Sequence, residues 1–273
     1  MQPQTPTTHP HPLDSETWLI PRLAPAGPEG FVYLNSLVIR GSEPILVDTG
    51  AAVHRTEWQN DVFGLVDPVD VRWVFISHED ADHVGNIPLL LELCPQATFV
   101  ADFLSFMKIG VLYGLPPDRA RWLNPGESLR AGDRLLTAFR PPLLDSASTR
   151  GLIDTSSGIM WTADSFAGPT PEVVVEAGDL PPGMWADSFV SMNSMENPWH
   201  QWLDPKAFGA HVDSIRTLRP RIVASCHGPV LRGGFVDDAF ELARGLAGAP
   251  MHAVPGQQTL DQIVAAAMAA IAE

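Results

Sequence analysis

The chain has 273 residues and 45 % hydrophobic content, enough for one large domain or two small ones around a sizeable core. Its formal net charge is -15, with 32 acidic against 17 basic residues, which argues against a nucleic-acid surface built on clustered Lys or Arg and fits a role in solubility. Two cysteines, Cys94 and Cys226, give neither a disulfide framework nor a paired thiolate site.

The proline-rich start favours a flexible or extended N-terminal lead-in over residues 1–16, with His9 and His11 solvated. It has no charged start and no apolar stretch, so it does not read as a secretory signal. No apolar run is long enough to span a bilayer, so no membrane contact is expected and a cytoplasmic location is the simplest. No composition break or Ser/Gly linker divides residues 17–273, which read as a single domain.

Strand-like runs follow at 17–20, 31–34, 37–40 and 45–48, with the turn Gly41-Ser42-Glu43-Pro44 before the last, suggesting an antiparallel meander. Residues 56–65 have amphipathic helical spacing, with Trp58, Val62 and Leu65 on one side. An apolar strand covers 71–76. Residues 87–93 read as a helix with Pro88 in its first turn, where proline is tolerated. Cys94 closes that helix and belongs to the core. Further strands are expected at 97–101, 134–139 and 158–163, and a helix or lid at 103–113. Residues 168–183 are Pro/Gly-rich and irregular. Helices at 207–218, 235–246 and 259–271 and a strand at 222–225 complete a mixed α/β pattern.

The chemistry concentrates after the strand 71–76. Ser77-His78-Glu79-Asp80-Ala81-Asp82-His83-Val84-Gly85-Asn86 presents His78, Asp80, Asp82 and His83 within about one turn. Two carboxylates and two imidazoles held this closely are hard to explain by packing and are readily joined by a cation. A nitrogen and oxygen set without thiolate suits zinc, iron or manganese. The bland alternative is a polar turn with solvated charges.

This segment resembles the metallo-β-lactamase superfamily signature His-x-His-x-Asp-His, here His78-x-Asp80-x-Asp82-His83. A carboxylate at the second histidine is similar to the flavodiiron, oxygen-binding di-iron branch, where it is usually Glu. Ile45-Leu46-Val47-Asp48-Thr49-Gly50 resembles the early strand and turn. Met160-Trp161-Thr162-Ala163-Asp164-Ser165-Phe166 resembles the strand of the bridging aspartate. Ile222-Val223-Ala224-Ser225-Cys226-His227-Gly228-Pro229 resembles the strand of the last histidine. The resemblance runs from about Phe31 to about Gly234. It implies an α/β (α+β) fold, the four-layer αββα metallo-β-lactamase sandwich, with two related halves.

The resemblance also implies two metal ions in a cleft at the sheet edges. His78, Asp80 and Asp164 would serve one, and Asp82, His83 and His227 the other, with Asp164 bridging. A bridging anion matters because two neighbouring cations repel strongly. The family's third histidine is missing: no histidine occurs between His83 and His200. The position of His78 and Asp80 therefore lacks one protein ligand, leaving it weak, empty, or completed by water, Asp145 or another donor.

Three functions follow. Iron is favoured by the carboxylate-rich set, with zinc or manganese as alternatives. A di-iron oxygen-handling domain would reduce dioxygen or nitric oxide, or sense oxygen. The branch usually carries a flavodoxin domain, and none is read here, so electrons would come from a separate donor protein. A zinc-type hydrolase would instead use a metal-bound hydroxide, oriented by Asp82 as the catalytic residue, on an ester, lactone, thioester or phosphodiester. The third is a non-catalytic sensor. The ligand would be a small molecule or O2, and a homodimer is one expected assembly.

Other residues carry weaker signals. Alternation along its strand points Cys226 away from the face of His227. His54 follows Asp48-Thr49-Gly50 closely, a weak positional hint toward the cleft mouth, with a place away from the cleft the favoured reading. His200, in an aromatic loop, is a surface residue packed by tryptophans or an outer proton carrier. His211 falls on a helix face and His252 is exposed. Arg150 pairs with a buried carboxylate or meets an anion.

Overall fold

The computed structural model describes residues 6–26 and 30–272. Of the lead-in expected over 1–16, residues 1–5 lie outside the described residues. The rest is more ordered than the sequence suggests: β1 (His11–Pro12) pairs with β2 (Thr17–Ile20), and Leu13 is buried between the sheets.

β3 (Leu23–Pro25) and β4 (Phe31–Tyr33) form a separate pair, so the expected meander is interrupted. The chain then runs through β5 (Ser36–Ile39), β6 (Ile45–Val47), α1 (Arg55–Phe63), β7 (Trp73–Phe75), the short α2 (Ala81–Val84), α3 (Ile87–Leu93), β8 (Thr98–Ala101), α4 (Phe103–Tyr113) and β9 (Ala120–Trp122). These build a sheet in the order β1-β2-β5-β6-β7-β8-β9. Its first strands are antiparallel, and β6 through β9 run parallel.

The second sheet takes β10 (Ser128–Ala131), β11 (Arg134–Phe139), β12 (Gly151–Asp154), β13 (Ile159–Trp161), β14 (Ile222–Ala224) and β15 (Leu231–Arg232) in chain order. Only β13 and β14 are parallel within it. Between them lie α5 (Met184–Glu196) and α6 (Pro205–Arg216). After β15 come α7 (Gly234–Leu246) and α8 (Gln257–Ala272).

Strict alternation of side chains makes the layers. In the first sheet Leu37, Ile39, Ile45, Val47, Phe75 and Val100 point inward. They meet Leu136, Leu152, Ile159, Trp161 and Ala224 of the second. The intervening residues point outward. Val38, Leu46, Val74 and Phe99 pack on Trp58, Val62, Leu90 and Ile109 of α1, α3 and α4. Ile153, Met160 and Val223 pack on Phe189, Val212 and Phe240 of α5, α6 and α7. The result is the expected four-layer αββα sandwich. Each central strand is buried on both faces, which is why it reads as a continuous apolar run.

Candidate metal centre

Parallel strands align their carboxyl ends, and side chains just beyond those ends converge in a crevice. Here β6 and β7 end side by side in one sheet, and β13 and β14 in the other. Beyond the tips lie Asp48, Ser77-His78, Asp164 and His227. Two residues at these tips adopt left-handed backbone, Asp48 with φ 58° and Ala163 with φ 52°. Such strain costs on the order of 1–3 kcal/mol and gathers at functional sites. Gly85 has a different purpose, because a Cβ there would stand 2.4 Å from the Ala52 nitrogen. Its absence lets the turn after β6 close onto α2, where Thr49 Oγ1 donates to the His83 carbonyl at 2.9 Å.

Asp164 sits at the centre. Its Oδ2 is 3.2 Å from His78 Nε2, and its Oδ1 is 3.0 Å from His83 Nε2 and 3.3 Å from His227 Nε2. Asp82 Oδ2 lies 3.3 Å from His227 Nε2 and 3.7 Å from His83 Nε2. Asp80 Oδ2 is 3.8 Å from His78 Nε2. The structure therefore brings together all six residues expected as ligands. It adds Asp145, whose Oδ2 is 3.7 Å from His78 Nε2.

The far sides of the rings fix their chemistry. His227 Nδ1 faces the Tyr33 carbonyl at 2.7 Å, so that nitrogen must carry the proton. His83 Nδ1 donates to Asp48 Oδ2 at 2.9 Å. Ser77 Oγ gives its own proton to Asp48 Oδ2 at 2.7 Å, so it accepts from His78 Nδ1 at 3.2 Å. Each ring thus turns an Nε2 lone pair toward the cluster. His78 Nε2, His83 Nε2 and Asp164 Oδ1 are buried without a hydrogen-bond partner. Buried polar atoms are rarely left so, and bound cations would satisfy them. The donor set fits metal ions.

Without a metal, protons balance this cluster. Burial opposes charge on His83 and His227, but the adjoining Cys226, Asp164 and Asp82 outweigh it and raise both well above the usual imidazole value. Burial likewise opposes the charge on Asp164, and the three histidines overcome it and hold its carboxyl well below the usual range.

The sequence reading missed several contributors. Asp48 is fully buried and accepts from Ser77 N and Ser77 Oγ at 2.7 Å and from Trp161 Nε1 at 3.0 Å, besides His83. Its place at a strand tip before Thr49-Gly50 was the available signal. Glu79 turns away from the cluster to Lys108, Ser105, Ser146 and Ser148. Its own desolvation is outweighed by these donors, and its carboxyl falls to about 2. Glu196 ends α5 within electrostatic reach of the site. Desolvation, opposed by His227 and reinforced by Asp164, Asp145 and Asp82, pushes it up to about 7.

Several expectations are corrected. Cys226 does not point away: its sulfur and ligand atoms of Asp82, His83 and His227 lie within 4.8 Å of one another. β14 stops at Ala224, so alternation no longer governs residue 226. His54 belongs to a surface pocket with Thr8, His9, Arg22 and Glu57, in line with the favoured reading. His11 pairs with Glu176 at 3.0 Å. His200 is buried, with Nδ1 donating to the Leu246 carbonyl at 2.8 Å and Nε2 3.2 Å from Ser194 Oγ, so its two nitrogens are engaged structurally. Arg150 bonds the carbonyls of Ile76 and Leu123 and lies 4.9 Å above the Phe75 ring, with no carboxylate partner among the described residues. Cys94 is core, and its buried thiol is pushed up to about 12. His211 lies on α6 and His252 is exposed, as expected.

The four-layer αββα sandwich with a His/Asp cluster at its strand tips is the metallo-β-lactamase fold, in the form seen in solved flavodiiron proteins. Residues 32–228 match the family described as ODP family beta lactamase, and the chain belongs to that family. It is 27 % identical over 209 residues to the type A flavoprotein of Rhodobacter capsulatus, covering 72 % of this chain and 45 % of that one. Its fold is similar to rubredoxin oxygen:oxidoreductase from Desulfovibrio gigas, with TM-score 0.76 and 16 % identity, over 87 % of this chain and 61 % of that one. It is also similar to the flavodiiron protein from Giardia intestinalis, with TM-score 0.73 and 17 % identity, over 89 % and 60 %. The chain spans less than half the length of the curated relatives it matches.

Proposed function

We propose that the cluster holds two metal ions, iron in the cell, and that the chain is a di-iron oxidoreductase domain acting on dioxygen or nitric oxide. His78, Asp80 and Asp164 hold the first ion. Asp82, His83 and His227 hold the second, and Asp164 bridges. The observation that carries this reading is the set of three imidazoles with Nδ1 protons engaged behind them and Nε2 atoms turned to one buried carboxylate. The carboxylate in place of a second histidine makes the set harder and favours iron. The Rhodobacter capsulatus and Desulfovibrio gigas proteins are named as a flavoprotein and an oxygen:oxidoreductase, which supports redox chemistry over hydrolysis.

Two bound iron ions would supply redox chemistry toward a small diatomic substrate, with the electrons coming from a separate electron-donor protein. The chain's own residues set the stage for that chemistry. Asp48 and the Tyr33 carbonyl keep His83 and His227 in the metal-binding tautomer. Asp164 would offset the repulsion between two bound cations. Asp82 is partly exposed at the cleft and orients a bound small molecule. No helix among the described residues is long and apolar enough to cross a membrane; a cytoplasmic location and a homodimer complete the proposal, with residues 17–273 as one domain.

Cys226 favours a second reading. A sulfur beside Asp82, His83 and His227 resembles a four-donor zinc site, and a zinc hydrolase would follow. Oxygen uptake separates the two. Chemically reduced, iron-loaded protein should consume dioxygen or nitric oxide, and His83→Ala should abolish it. Full iron loading with no uptake beyond the reductant's own rate would overturn the oxidoreductase reading.

A further inference from the structure

We propose that Asp145 supplies the ligand that the missing histidine would have given to the metal at His78 and Asp80. The inference rests on the di-metal reading and deepens it. One donor atom from each of His78, Asp80 and Asp145 lies within 4.8 Å of the others. Two ligands about 2.1 Å from one ion stand about 3.0–3.4 Å apart at octahedral or tetrahedral angles. The observed 3.7 Å from Asp145 Oδ2 to His78 Nε2 and 3.8 Å from Asp80 Oδ2 need only a few tenths of an ångström of closure. His78 is fully buried and its Nε2 has no hydrogen-bond partner, so an orphaned ligand atom lies within 3.8 Å of the Asp80, Asp145 and Asp164 carboxylates.

The loop carrying Asp145 is held for this purpose. Thr149 Oγ1 donates to Asp145 Oδ1 at 3.1 Å, which leaves Oδ2 free toward the cluster. Arg140 donates to the carbonyls of Ala147 at 2.6 Å and Thr149 at 2.7 Å. Trp199 Nε1 donates to the Leu144 carbonyl at 2.9 Å, and Ser165 Oγ to the Leu143 carbonyl at 2.6 Å. Glu79 accepts from Ser146 Oγ at 2.9 Å and from Ser148, clipping the loop to the metal-binding segment itself. A ligand fixed by its supporting bonds binds with little reorganisation.

The consequence is an asymmetric pair. The first position offers one imidazole and three carboxylates, Asp80, Asp145 and the shared Asp164. The second offers two imidazoles, Asp82 and Asp164. The first is therefore harder and favours Zn(II) over Fe(II) and Mn(II) less strongly than the second.

The test is anaerobic titration of metal-free protein with Fe(II), and separately with Mn(II) and Zn(II), against a competing chelator. Wild type should bind two equivalents. Asp145→Ala should keep one tight equivalent and bind the other at least about tenfold more weakly, and Asp145→Asn, which retains an oxygen for Thr149, should do the same. Asp145→His should restore two equivalents and shift the weaker position toward Zn(II). Wild-type affinity for both metals in Asp145→Ala and Asp145→Asn would overturn the proposal and leave the di-metal reading standing. Fewer than two equivalents in wild type, or full binding in His83→Ala, would overturn the di-metal reading itself, and this proposal with it.

Discussion

Asp48→Asn removes one charge and changes almost nothing else in shape. Asn tolerates the left-handed backbone of this position at least as well as Asp, so no conformational penalty enters. The difference lies in what the side chain accepts. Asp48 Oδ1 takes the Ser77 N–H, and Oδ2 takes Ser77 Oγ, His83 Nδ1 and Trp161 Nε1. Either amide orientation sets an NH2 against one of these groups of buried donors. With the NH2 at the Oδ2 side, Trp161 Nε1 loses its acceptor, at a cost of about 1–3 kcal/mol. His83 relieves the clash by moving its proton to Nε2, which turns a donor toward the metal. Loss of such a supporting partner lowers metal affinity about 10–100-fold, or about 1.4–2.7 kcal/mol. The loss should fall on the second position, held by His83, and spare the first. Chelator competition on the two metals, with thermal melts of the metal-free variant, reads both effects. Affinities within about threefold of wild type at both positions would refute the tautomer argument.

The raised His83 and His227 and the lowered Asp164 set a pH window for the metal-free chain. The histidines' contribution is fully present below about pH 6.5 and is lost as pH rises through their folded values. Asp164's contribution is present above about pH 4 and is lost as pH falls through its folded value. The Tm of metal-free protein should therefore peak in mild acid, and metal should remove the alkaline decline; a metal-free Tm that climbs from pH 6 to 9 would contradict this. Arg150→Met strands two buried carbonyls and should cost about 3 kcal/mol in chemical denaturation, and a loss under 1 kcal/mol would show that the guanidinium is dispensable. Cys226→Ser should leave iron content unchanged; a loss of the second metal would make the sulfur a ligand and favour zinc.

The His/Asp cluster was legible because its local part is contiguous: His78, Asp80, Asp82 and His83 fall in one turn after an apolar strand. Asp164 and His227 were legible because each ends a buried strand within a recognisable motif. The fold's central strands were legible because burial on both faces leaves continuous apolar runs. What stayed hidden depends on chain-distant contacts. β9, β10 and β12 carry polar residues or abut turns, and α5 follows a Pro/Gly stretch that gives no clean helical period. Asp48 reads as an ordinary strand end until its four donors arrive from Ser77 just beyond β7, from α2 and from β13. Cys226 was misread because alternation was extended past the last paired residue of β14. His200 carries no sequence sign that Leu246, 46 residues on, would cover it.

The central claim is that this site holds a pair of iron ions. Protein purified without added metal from iron-replete cells, analysed for metal and by Mössbauer spectroscopy, tests it most directly. The account predicts about two iron atoms per chain, zinc well below iron, and a spectrum of two coupled, chemically unequal irons. Zinc at full stoichiometry with no iron under those growth conditions would contradict it.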